Sequence, residues 1–278
     1  MLPSKLHFLT LCLLFSFSSL IAVMPQEEAC CDTTCSSYHS LHFKRANSFS
    51  IGPEIYRVIR KRAGGTKQEG NSAGVRLTYD RIKRYHYYLG AQLFYGTGIL
   101  HGHSGGGDKI RSRLTDQQIE GNAGYTFQLK CFPHVSFTPF AGCGYFKEIN
   151  KFTPPTDLTV KFNTQFRYIS FGFLSSVYVL PCLTVGINAR FKWPWQIRCK
   201  ITDDPDYDTI RQLVKNELQY RIEFPITYFG CFLPNSIEVS LVPFYEQRLY
   251  GARENFPFDF SKTKLTFFGA NLQLIYRF

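Results

Sequence analysis

Three groups of residues in this chain have the types and spacing to do chemistry. Asp203, Asp204, Asp206 and Asp208 crowd one polar stretch. Counted from Asp204, carboxylates fall at the first, third and fifth positions of a calcium-binding loop. The pattern then fails, because Thr209 stands where the EF-hand needs glycine and Lys215 where it needs a bidentate glutamate. His101-Gly102-His103 with Asp108 offers two imidazoles and a carboxylate, a set able to hold zinc or move protons. Gly102 and Gly105 to Gly107 surround it, so nothing in the local sequence preorganises it. Cysteine is the third group, with 9 in the chain. Cys30, Cys31 and Cys35 lack zinc-ligand spacing, and no second ligand pair follows. The expectation is no metal, no cofactor and no catalytic residue.

The net charge of +11 admits a nucleic-acid binder, but the basic residues are interleaved along the chain rather than gathered on one element. The start of the chain points away from nucleic acid. Lys5 supplies a positive n-region, Leu6 to Ile21 is an almost unbroken apolar run, Ala22 suits cleavage, and Pro25 to Glu28 turn polar. That is the layout of a secretory signal over 1–22, shorter than a spanning anchor. An exported chain meets oxidising conditions, which permits disulfides.

The elements that must position any site are strands. Aromatic residues make up 17% of the chain, with 27 Phe and 17 Tyr, and no later apolar run is long enough to cross a membrane as a helix. The dominant period is two. Phe268, Ala270, Leu272, Leu274, Tyr276 and Phe278 fall on one face, opposite Gly269, Asn271, Gln273 and Arg277. About ten such segments can be marked, near 47–59, 73–81, 85–100, 112–130, 135–150, 160–180, 183–198, 210–229, 236–250 and 264–278. Two are irregular. Pro53 interrupts the first, whose alternation slips near Ile55, and the sixth changes phase between Tyr168 and Phe171.

Connections alternate between short turns near 82–84, 131–134, 181–182 and 230–235 and long polar stretches near 60–72, 101–111, 151–159, 199–209 and 251–263. An even strand number with such alternation is the habit of transmembrane barrels, with short turns and termini on the periplasmic side. Tyr79, Tyr85, Tyr87, Phe137, Tyr228, Tyr276 and Phe278 gather at that end, and Tyr145, Trp193, Trp195 and Tyr245 toward the other, as interfacial girdles do. The expected fold is an all-β, antiparallel, up-and-down transmembrane barrel over 47–278, after a periplasmic cysteine-bearing segment at 23–46. A secreted soluble β-protein is the alternative.

By parity, Arg76, Glu120, Lys130, Arg190, Lys192, Arg198, Lys215, Glu217, Arg221, Glu223, Glu238, Glu246, Arg248 and Arg277 point into the lumen. They either line a narrow aqueous path or pair with one another and fill it; a barrel this small favours the filled or very narrow lumen.

The chain end resembles the terminal signal of bacterial outer-membrane barrels, on Ala270, Leu272, Leu274, Tyr276 and the final Phe278. The resemblance implies recognition by the barrel-assembly machinery and a place in outer-membrane lipid. The chain also looks like the small cysteine-bearing envelope barrels of chlamydiae, on Cys30, Cys31 and Cys35 in the N-terminal segment and Cys131, Cys182 and Cys231 in separate short turns. That resemblance implies disulfide cross-links to other envelope proteins and a structural role. Cys143 and Cys199, in the fifth segment and an outer loop, stand apart from this group. The paired Asp and the His-Asp couple that omptin proteases carry at the outer rim have no counterpart in the sequence. A structural or surface-exposed envelope protein with at most narrow pore activity is the leading reading, and a small-solute channel is the alternative. A surface adhesin or enzyme follows; Arg60, Lys61, Arg62 and Lys67 suit anionic glycans or lipid phosphates.

Overall fold

The structure, a computed structural model, describes residues 46–278 apart from 130–131, 157–159, 181, 205–208, 231–232, 235 and 257–258. The expected signal at 1–22, Cys30, Cys31, Cys35, Lys130, Cys131, Asp206, Asp208 and Cys231 lie outside the described residues. In chain order the strands are β1 (Asn47–Arg62), β2 (Lys67–Arg81), β3 (His86–His103), β4 (Lys109–Leu129), β5 (Phe132–Thr153), β6 (Lys161–Leu180) and β7 (Leu183–Val185). They continue with β8 (Asn188–Thr202), β9 (Ile210–Leu213), β10 (Lys215–Asn216), β11 (Gln219–Glu223), β12 (Ile226–Tyr228), β13 (Ile237–Gly251) and β14 (Thr263–Arg277).

All pairings are antiparallel, and the sheet closes on itself because β1 pairs with both β2 and β14. Closure gives each of the long strands a partner on both sides, and among the described residues the short β9 is paired on one side, to β8. At the seam Asn47 and Phe278 exchange both backbone hydrogen bonds, at 3.2 and 2.9 Å.

The sheet has 14 strands rather than the ten expected. The extra ones are interruptions. β7 and β8 share one stave against β6, and β9 to β12 share the next against β13 and β8. Pro225 divides β11 from β12 because it has no N–H to give the ladder. Beside it the Ser175 hydroxyl stands in for a ladder partner, accepting from Ile187 N at 3.1 Å and donating to Ile187 O at 2.6 Å.

Toward the long-loop end the strands run further than their polarity suggests. Arg60, Lys61, Arg62 and Lys67 belong to β1 and β2, not to a loop, and a tight turn joins the strands. Gly64 and Gly65 take φ of 91° and 87° there, a region that penalises a side chain. Backbone pairing does not require apolar side chains, so charged residues continue the hairpin once their heads reach solvent.

The exterior is apolar over the half nearer the termini. Ile55, Leu93, Ile119, Ile169, Leu241, Leu272 and Leu274 are all exposed, between 45% and 67%. A water-soluble barrel would hide these side chains, whereas one in lipid turns them outward. Aromatic residues border the band: Tyr87 (69% exposed), Tyr276 and Phe278 near the termini, Trp193 and Trp195 (63%) on the other side.

The phase change in β6 is not a break in its pleat, because β5 and β6 stay in register from Val135↔Val177 to Lys151↔Lys161. Phe166 and Tyr168 point inward and Phe171 points outward on one unbroken alternation. Hydrophobicity changes face with height: outward in the band, inward beyond it. The slip in β1 has the same origin, with Ile55 outward and Tyr56 and Val58 buried.

Candidate functional site

The interior is built in three levels. At the end carrying the termini, the barrel opens into a chamber of ≈ 240 Å³ lined by hydroxyls, among them Ser48, Thr78, Thr126, Ser136 and Ser176, with Arg277 at its wall. Arg277 donates to Glu238 across β13 and β14.

Above the chamber, inward charges close the bore. Arg221 is the hub. Its guanidinium binds Glu54 through two nitrogens at 3.1 and 3.0 Å, Glu223 at 2.6 Å and Glu246 at 3.1 Å. Arg76 takes the other side of Glu54 at 2.8 Å. Arg248 donates to Asp116 at 2.7 Å and to Glu246 at 2.7 Å. Lys192 reaches Glu246 at 3.6 Å, and Arg190 reaches Glu120 at 3.2 Å. Tyr168 donates to Glu120 at 2.7 Å and Tyr250 to Glu148 at 3.0 Å. Arginine suits this level because its planar fork serves several carboxylates at once and lies flat on rings. Arg221 is 3.7 Å from the Phe244 ring centre, and Arg248 is 4.4 and 4.2 Å from those of Phe146 and Phe267.

Small residues make room for the large ones. At Gly96 a Cβ would come within 2.4 Å of the Tyr56 hydroxyl, and at Gly144 within 2.4 Å of the Tyr168 ring. Toward the long-loop end an apolar core fills the bore: Val58, Leu100, Leu114, Ile197 and Leu265 are each 2% exposed or less, and Val160, Ile210 and Phe260 pack with them.

Of the residues assigned to the lumen by parity, Arg76, Glu120, Lys192, Arg221, Glu238, Glu246 and Arg248 are buried inside, and Arg190, Glu223 and Arg277 are partly covered at the chamber. Two assignments are corrected. Arg198 and Lys215 are exposed on the exterior. Around Gln196 (φ 52°) the register against β6 shifts, pairing Gln165 with Arg198 but Arg167 with Trp195. That bulge reverses the pleat, so Ile197, Cys199 and Ile201 turn inward. Cys199 is therefore a buried strand residue rather than part of an outer loop. Val214, facing β8, turns inward as well and leaves Lys215 outside. Glu217, 25% exposed, pairs with Lys262 at 3.6 Å.

Glu54, Asp116 and Glu148 were missed. Asp116 shares the parity of Glu120, so alternation alone could have found it; Glu54 was hidden by the interruption at Pro53.

The remaining candidates do not assemble. His101 and His103 are exposed at the end of β3, and Asp108 is held by Ser104, whose hydroxyl lies 2.9 Å from its carboxylate. Among the described residues no group of three His, Cys, Asp or Glu side chains could hold a metal. Cys143 is exposed on β5, and Cys182 lies in the turn after β6, where Phe229 N donates to its carbonyl at 2.9 Å.

No family model matches the sequence, and no curated protein matches it. Solved structures do. The outer membrane protease OmpT of Escherichia coli superposes with a TM-score of 0.56 at 13% identity, covering 84% of this chain and 96% of that one. The translocator domain of the autotransporter NalP of Neisseria meningitidis gives 0.45 at 9% identity over 84% and 88%. The likeness to OmpT is one of fold, an outer-membrane-type β-barrel, and says nothing of activity.

Proposed function

We propose that this chain is an integral outer-membrane barrel with a closed bore, serving a structural or surface-exposed role in the envelope rather than acting as a channel or an enzyme. The observation that carries this is the burial of the middle level. Glu54, Arg221 and Arg248 are 1%, 2% and 3% exposed, so no water column reaches past them. The apolar core beyond is a second barrier. Outward apolar residues support the membrane placement, and the short turns support a periplasmic position for the chamber. The refolded protein in a planar bilayer should show no openings above baseline, with insertion verified by heat-modifiable mobility. A steady conductance from inserted protein would overturn the closed-bore reading.

The terminal strand supports an assembly role for Phe278. Tyr276 and Phe278 stack at 5.9 Å on the exterior. Phe278→Ser should sharply lower the fraction of heat-modifiable, protease-resistant protein in outer membranes; an unchanged fraction would show that this end is no insertion signal.

A further inference from the structure

We propose that the exterior of the barrel beyond the apolar band is a docking surface for the phosphorylated saccharide headgroup of an outer-leaflet glycolipid. The proposal rests on reading the apolar band as lipid-facing.

The register places like charges side by side. Lys61 is directly opposite Lys264 on one neighbouring strand and Lys67 on the other. Lys151 is likewise opposite both Arg113 and Lys161. A shorter pair, Lys200 opposite Arg211, repeats the motif. Lys61, Lys67, Lys264, Arg113 and Lys151 are exposed and Lys161 is half-buried. Directly opposed side chains on one face have their Cβ atoms about 4.5–5.5 Å apart, and like charges there destabilise a sheet. Among the described residues, charges of opposite sign meet inside this barrel; on the outer row of Arg113, Lys151 and Lys161 they do not, and on the row of Lys61 a single acid does so. Glu69 reaches Lys67 at 3.8 Å and Arg57 at 3.3 Å. No ion pair among the described residues involves Arg113, Lys151 or Lys161. A row of three cations held in register wants a polyanion from outside the chain.

Height selects the anion. On β5 the exterior passes from Tyr145 to Lys147 and then Lys151, and on β1 from Ile55 to Arg57 and then Lys61. At roughly 3.3 Å per residue and a tilt of roughly 35–45°, Lys151 stands about 15 Å above Tyr145. A plain phospholipid presents its phosphate at the interface, beside Arg57 and Lys147. Cations at that level and again above it fit a headgroup that stacks several anionic groups along the barrel wall. The exterior position, continuous with the apolar band, favours a lipid over a soluble polyanion.

The test uses the full chain refolded in neutral detergent, with three probes: purified lipopolysaccharide, the same material after phosphatase treatment, and heparin. The variant is the triple substitution Arg113→Gln, Lys151→Gln and Lys161→Gln. Lipopolysaccharide should bind the wild type about tenfold or more tighter than the dephosphorylated form does, and the variant should lose a similar factor. Wild-type unfolding temperature should rise with lipopolysaccharide. Without it, the variant should melt higher than the wild type, because the repulsion is gone. Equal binding of the two glycolipid forms, equal binding by variant and wild type, or tighter binding of heparin than of lipopolysaccharide would each overturn the proposal. So would a variant that melts lower in neutral detergent. Conductance of the same preparation is read separately, so failure here leaves the closed-bore reading standing.

Discussion

Replacing Arg221 with leucine should destabilise the barrel by about 3–5 kcal/mol, because removing one partner from a buried charge set leaves the others uncompensated. Glu54, Glu223 and Glu246 all face this guanidinium within 3.1 Å. Glu54 would keep Arg76 and Glu246 would keep Arg248, yet neither replacement pair supplies the second fork. Urea unfolding of the refolded protein, followed by tryptophan fluorescence, measures the loss. Adding Glu223→Leu to Arg221→Leu should recover part of it, since Arg221 is the ion-pair partner of Glu223 and the acid left uncompensated goes too, and apolar replacements of whole ion pairs are often tolerated. A loss under about 1 kcal/mol for the single variant would mean that water reaches this level, and the closed-bore reading would fall with it.

Leu93→Arg should cost about 2–4 kcal/mol in a bilayer, and Thr97→Arg about 0–1 kcal/mol. Both residues lie on the outward face of β3, Leu93 within the apolar band and Thr97 at its edge, and both are exposed. Leu93 is 48% exposed, so a water-soluble barrel would accept arginine there with little change. The contrast between the two positions therefore reads the solvent around the barrel. Equilibrium unfolding in lipid vesicles gives both values, and equal costs would count against the band as a lipid-facing surface.

The sequence by itself determined the alternation, the approximate places of the strands and the two-faced character of the wall, because a pleated strand writes its faces into the chain at period two. It also showed most of the inward charges. The period alone could not show the solvent on each side of the wall, since apolar-out and apolar-in barrels share it. The alternating connections and the aromatic girdles pointed to lipid outside, without saying at which height that arrangement ends. Tertiary structure decided that, and decided it differently at different heights. Phe171 meets the exterior and Phe166 the core on one regular strand, so a change that reads as a fault in the sequence marks the level where the apolar surroundings pass from outside to inside. The outward turn of Arg198 and Lys215 was equally invisible. A bulge at Gln196 inserts one residue against β6, and one residue is enough to exchange the faces of everything beyond it. The partners of Arg221 were out of reach for a related reason. Glu54 is separated from it by 167 residues, and only closure of the barrel, where β1 meets β14, brings the two across the bore.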